Sequence, residues 1–144
     1  MKYDVAGGED YYDSIKRETA WQQYESTRDW VDLAPDIVRQ RLVVEGTLHN
    51  PFPSLSMVRY CKEISTVLDM TLLAEPITDF TKEYGWCAYA HWRESGMHIY
   101  SWENRSPKFF SIDIYTCKKF EDTHVINYTR EFFDDNLIKL AWRR

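Results

Sequence analysis

Between Arg93 and Cys117 the chain reads RESGMHIYSWENRSPKFFSIDIYTC, and residues able to move protons or attack carbonyls are concentrated there. A serine hydroxyl (Ser95) follows an acidic residue (Glu94) and precedes Gly96, a residue that relaxes the backbone limits of a tight junction. His98 and Tyr100 follow at alternate positions, so a strand presents both on one face, about 7 Å apart at a rise of ~3.3 Å per residue. His98 is a possible base. Tyr100 is a poor one near neutral pH, its ordinary pKa being about 10, but it can donate a hydrogen bond to an oxyanion. Cys117 adds a thiol. Each of these also has a plain structural reading: Ser95 as a turn residue, Cys117 as a small buried hydrophobe, Tyr100 and Trp102 as packing rings and Phe80 as core. Other chemistries are absent by pattern. Cys87 and His91 lie four residues apart on one strand, about 13 Å, too far to share a metal ion at ~3.3 Å per residue. There is no CxxC or HxxxH spacing, no glycine-rich phosphate loop and no GxSxG elbow.

The elements that must position this stretch are legible in outline. Residues 1–10 read as a flexible start around Gly7 and Gly8. Asp10 to Leu33 contains no Gly or Pro and predicts a helix, closed by Ala34-Pro35 because the residue before proline is pushed out of the α region. Arg41–Leu48 predicts a strand. Asn50-Pro51-Phe52-Pro53 is a rigid turn, with Ser54 the expected N-cap of a helix over 54–69 whose apolar face is Leu55, Val58, Cys61, Ile64, Val67 and Leu68. Thr71–Ile77 reads as a strand with Pro76 near its end. Trp86–Trp92, Gly96–Trp102 and Phe109–Cys117 read as three strands whose short links suit antiparallel hairpins. Asp122 is the expected cap of a second helix, with Val125, Thr129, Phe132 and Phe133 on one face, and 136–142 closes the chain as a strand. In the third strand of the hairpin series Phe110, Ile112 and Ile114 alternate with Ser111, Asp113 and Tyr115. One set suits a helix-covered side; the other leaves a mixed polar and aromatic face. The predicted fold class is α+β: a two-layer sandwich of antiparallel sheet with helices on one face. Residues 1–40 form an N-terminal helical extension to a domain over 41–144.

Composition bounds the partners. The chain has 144 residues, enough for one core, and a formal net charge of −5, which argues against a nucleic-acid-binding surface. Six Trp, ten Tyr and seven Phe are many for this length and call for a second buried surface, an oligomer interface or a site for a flat ligand. The three cysteines form no framework and predict reduced thiols in a cytoplasmic setting. No apolar run approaches the ~18 residues of a membrane span, and the acidic N-terminus lacks the apolar core of a secretory signal.

Glu94-Ser95, Ile99 and Trp102 on the next strand, and Asp113-Ile114-Tyr115-Thr116-Cys117 at the end of the one after stand in the order and spacing of the small S-adenosylmethionine decarboxylase proenzymes, which the chain resembles over residues 41–142. Each piece is common; their joint order is not. The resemblance implies self-cleavage at Glu94-Ser95: the serine hydroxyl attacks the Glu94 carbonyl, and an elimination leaves a pyruvoyl group at the new N-terminus. Decarboxylation leaves a carbanion, and the pyruvoyl ketone is the electron sink that it needs. Cys117 would supply the quenching proton. The family carries a processing histidine five residues after the serine, where this chain has Tyr100, with His98 two residues earlier. Phe80 would stack on adenine, Trp102 would lie beside the site, Glu45 matches an acidic position on the first strand, and Glu103 stands one residue from the family's acidic position. The implied protein is a cytoplasmic pyruvoyl-dependent decarboxylase of S-adenosylmethionine serving polyamine synthesis. It would assemble as a homodimer or higher oligomer with its site at the interface, and engage neither nucleic acid nor membrane. Two rivals follow from the departure at Tyr100: an unprocessed homologue acting as a nucleoside-binding or regulatory subunit, and a pyruvoyl decarboxylase of another amino acid such as ornithine or arginine.

Overall fold

The computed structural model describes residues 30–144. The chain divides into two compact units, residues 1–34 and 35–144. The helix expected over 10–33 lies outside the described residues except for Trp30–Leu33, which are not helical. There the Asp32 carboxylate accepts from the Ala34 N–H at 3.0 Å, a local bond that competes with helix formation.

The second unit is a six-stranded sheet backed by two helices. Its elements are β1 (Gln40–Leu48), α1 (Ser54–Val67), β2 (Ile77–Thr81), β3 (Gly85–Trp92), β4 (Ser95–Trp102), β5 (Lys108–Thr116), α2 (Asp122–Phe133), a 3-10 turn (Asp134–Asn136) and β6 (Leu137–Arg143). The strand order is β2-β3-β4-β5-β1-β6, every neighbouring pair antiparallel. Alternation in the strands sets the layers. Leu42 and Val44 of β1, Ile99 of β4 and Phe110, Ile112 and Ile114 of β5 are fully buried beneath Met57, Tyr60 and Ile64 of α1 and Val125 of α2. Each such side chain contributes about 1.5–3 kcal/mol by leaving water. Polar atoms in this layer are paired: the Tyr60 hydroxyl lies 2.8 Å from Thr129 Oγ1, and Trp92 Nε1 donates to Ser65 Oγ at 2.8 Å. The α+β sandwich expected from the sequence is the fold observed.

Several local expectations are corrected. The covered stripe of α1 is Met57, Tyr60, Cys61 and Ile64, running on to Leu68, whereas Leu55 is 83% exposed and Val67 is also exposed. Both stripes satisfy helical spacing, and burial of the Tyr60 ring decides between them. The cap positions belong to Pro53 and Glu121, with Ser54 and Asp122 already inside their helices and no side-chain cap bond at either. Thr71–Ile77 makes only an isolated bridge, Leu72 to Trp92, and the edge strand begins after Pro76, whose missing N–H suits a strand boundary.

Candidate active site

β3 and β4 are joined by a turn of two residues, Arg93 and Glu94, closed by the pair Trp92–Ser95. Tight hairpin turns favour positive φ, normally supplied by Gly or Asn. Here the positive φ falls just past the turn, on Ser95, at +125°. For a residue with a Cβ that conformation costs on the order of 1–3 kcal/mol, and it persists only where neighbours over-determine it. Gly96 serves a different need from the relaxed backbone expected of it: a Cβ there would sit 2.6 Å from the Ala90 carbonyl oxygen of β3.

The neighbours are specific. The Cys117 N–H, just past the end of β5, donates to the Glu94 carbonyl oxygen at 2.9 Å. The Glu94 side chain, 8% exposed, accepts from the Thr71 N–H at 2.7 Å through Oε1, while the Arg93 N–H donates to the Thr71 carbonyl at 2.9 Å. The peptide between Glu94 and Ser95 is thus held from two sides. Its carbonyl already faces a backbone donor, the arrangement that stabilises charge when a nucleophile adds to that carbon.

Ser95 opens onto a groove of about 290 Å³ on the bare face, lined also by Tyr89, Gly96, His98, Asp113 and Tyr115. Asp113 accepts from Arg41 Nε at 2.9 Å and Nη2 at 2.5 Å, and this bonding holds the guanidinium above its usual pKa. From the groove a ribbon of rings crosses the face. Tyr89 to His98 is 4.7 Å between centroids, His98 to Tyr100 6.0 Å, Tyr100 to Trp102 6.3 Å and Trp102 to Phe109 5.1 Å.

Ser95 and His98 therefore line one groove, and the Cys117 backbone meets Glu94 at its edge. Tyr100 shares their face but lines the next depression, about 280 Å³, with Cys87 and Trp102. Trp102 lies at the far end of β4, roughly 23 Å from Ser95 at ~3.3 Å per residue. Glu103, in the following turn, packs beside Gly85, and its Oε1 is buried without a hydrogen-bond partner. Glu45 is on the bare face of β1, opposite Ser111 and lining a small depression with Arg143. Phe80 pairs with Trp86, the two rings 5.1 Å apart, and Trp86 packs against the helix-side core. Alternation puts Phe80 across the sheet from Tyr100 and Trp102. Sequence reasoning missed Thr71, Arg41 and Tyr89 as neighbours of the junction. Tyr89 was within reach of it, because it faces His98 once the β3–β4 register is set by the two-residue turn.

A helix-backed antiparallel sheet with one open face, and a Glu-Ser turn at a positive φ beside it, make the class an α+β sandwich with an exposed sheet face. The family model of S-adenosylmethionine decarboxylase matches residues 54–141, from the first residue of α1 into β6, and the chain belongs to that family. No curated protein matches the chain. Among the described residues no helix is long and apolar enough to cross a membrane.

Proposed function

We propose that this chain cleaves itself between Glu94 and Ser95 to form a pyruvoyl group and then decarboxylates S-adenosylmethionine, in the cytoplasm and in service of polyamine synthesis. The observation that carries the reading is the junction: Ser95 at φ +125°, following a carbonyl that accepts the Cys117 N–H. Nucleophile, strained bond and oxyanion donor are the parts an acyl shift requires. The Ser95 hydroxyl adds to the Glu94 carbonyl carbon as His98, which lines the same groove, takes its proton. The C–N bond then breaks with protonation of the nitrogen, and an ester replaces the amide. Loss of the Ser95 α-proton expels the Glu94 carboxylate. Water replaces the residue-95 nitrogen, which leaves as ammonia.

The junction leaves room for the resulting group, since Ser95 and Gly96 line an open groove and the Cys117 backbone meets the neighbouring carbonyl. Once formed, the pyruvoyl ketone supplies the electron sink for the pair left behind by carbon dioxide. The remaining roles belong to side chains. Cys117, exposed at the strand end, returns a proton to the substrate carbon. The exposed ring of Tyr115 beside the groove suits a cationic substrate. Tyr100, in the neighbouring depression, stands in the usual histidine's place as a hydrogen-bond donor. Trp102, Glu103 and Glu45, remote from Ser95 within one chain, contact the nucleoside where the sheet faces of two copies meet. Phe80 stays outside this reading. The exposed ring ribbon is the surface on which a second copy would pack, giving a homodimer or higher oligomer. Residues 1–40 are an extension to the domain over 41–144.

Intact mass tests the reading: purified protein gives fragments 1–94 and 95–144, the second without a free amine. Full-length mass alone, unchanged by hydroxylamine or borohydride, overturns it. That outcome favours the second reading, an unprocessed nucleoside-binding or regulatory homologue, which rests on Tyr100 in the histidine's place. Carbon dioxide release from S-adenosylmethionine, ornithine and arginine separates the substrates.

A further inference from the structure

We propose that the Glu94 carboxylate is a positioning residue: by gripping the Thr71 peptide it holds Ser95 in its positive-φ conformation and so keeps the bond ahead of Ser95 aligned for attack. The inference rests on the self-cleavage reading for its consequence, but on geometry alone for the grip.

The argument begins from how unsuited Glu94 is to its place. A two-residue hairpin turn takes Asn, Asp or Gly for conformational reasons. Glu offers neither a short side chain nor freedom at positive φ. It also brings a carboxylate into a position where it is 8% exposed, and burying such a group is costly without partners. Its partners are few. Oε1 accepts one bond, from the Thr71 N–H at 2.7 Å. Oε2 is buried with no hydrogen bond, its nearest cation being Arg93 Nε at 3.6 Å. Turn formation alone does not explain a residue this poorly compensated.

What the carboxylate does achieve is a double attachment. Thr71 receives the Arg93 N–H on its carbonyl and gives its own N–H to Glu94, so one residue of the segment following α1 clasps both turn residues. Leu73 N–H to His91 O at 2.9 Å continues the contact along β3. On the other side the Cys117 N–H fixes the Glu94 carbonyl. With its carbonyl tied at one side and its side chain tied at the other, Glu94 cannot rotate to relieve the residue that follows. The strain at Ser95 is therefore retained rather than relaxed. A charged acceptor makes the stronger tie, and a neutral amide of the same length keeps the bond but weakens it.

The test uses full-length chains. In the cleavable background, Glu94→Ala is expected to slow cleavage by roughly 10- to 100-fold, the range that a lost charge-assisted hydrogen bond gives, and Glu94→Gln recovers most of that rate. In a Ser95→Ala background, amide hydrogen exchange reads the grip directly. Glu94→Ala exposes the Thr71 and Arg93 amides, while the Ile112 amide in β5 keeps its protection, which a general loss of stability would not allow. If the parent chain cleaves and Glu94→Ala cleaves equally fast, the proposal fails and the self-cleavage reading stands. If the parent never cleaves, that reading fails, and the exchange result alone decides the grip: Thr71 protection retained in Glu94→Ala overturns it, and protection lost upholds it.

Discussion

The two faces of the sheet are drawn from the same strands and differ in almost every property. On β5, Phe110, Ile112 and Ile114 are fully buried, while Ser111, Asp113 and Tyr115 alternate with them toward the bare side. Under the helices the polar atoms of Tyr60, Ser65, Trp92 and Thr129 find one another or the backbone. The buried side-chain atoms without hydrogen bonds among the described residues belong to Thr47, Glu94 and Glu103, on the bare face or in the turns at its ends. One face is optimised for burial. The other keeps strain, unpaired polar atoms and exposed rings, the features a stable monomer would shed and a reactive site retains.

The sharpest way to break this contrast is Ser95→Ala. It removes the nucleophile but little core, so cleavage is expected to vanish completely with the melting temperature nearly unchanged; intact mass and thermal unfolding check both halves. Next comes a pair on one strand. Phe110→Ala on the covered face should cost about 3–5 kcal/mol, and Tyr115→Ala on the bare face under about 0.5 kcal/mol, read by urea denaturation. If the two costs are similar, the division of labour is wrong. Tyr100→His puts a second base beside His98, at the position of the family's processing histidine, and should speed cleavage about tenfold, within the range of general base catalysis; an unchanged rate removes position 100 from the processing machinery. The smallest effect is one of pH. Burial pushes the Cys61 thiol from 9.0 up to about 12. The unfolded chain therefore releases this proton first, and stability falls as pH rises through that window. Burial raises the Tyr60 hydroxyl as well, adding in the same direction. Denaturation midpoints at pH 8 and pH 11 check it, and Cys61→Ala should flatten the slope. At pH 8 iodoacetamide should modify exposed Cys117 well before buried Cys61.

Much of this contrast was legible in the sequence. Strict alternation in β5 fixes which residues face the helices, and the short links fix the antiparallel order. The family was legible because its markers, Glu94-Ser95 among them, lie on adjoining strands at set spacings. Other features depend on long-range competition. Leu55 and Met57 both lie on apolar stripes of α1, and only burial in the core shared with Phe52, Tyr60 and Phe133 selects the second. Phe80 went to the opposite side of the sheet because the edge strand starts at Ile77 and its register with β3 follows from that start. The grip of Thr71 on Glu94 joins residues 23 apart through a segment with no regular structure, so no local pattern announces it.

The strand order has a consequence for what a cut between residues 94 and 95 would leave. The upstream piece owns β1, β2 and β3 and the downstream piece β4, β5 and β6, yet across the sheet they alternate: two upstream strands, two downstream, then β1 upstream and β6 downstream. The pieces meet along three backbone seams, β3–β4, β5–β1 and β1–β6. Neither owns a continuous sheet, and each lacks one of the two helices that roof the core. Severing the chain would therefore open a nick and not a division. The halves are interwoven like the teeth of two combs, and they would come apart only by unfolding together.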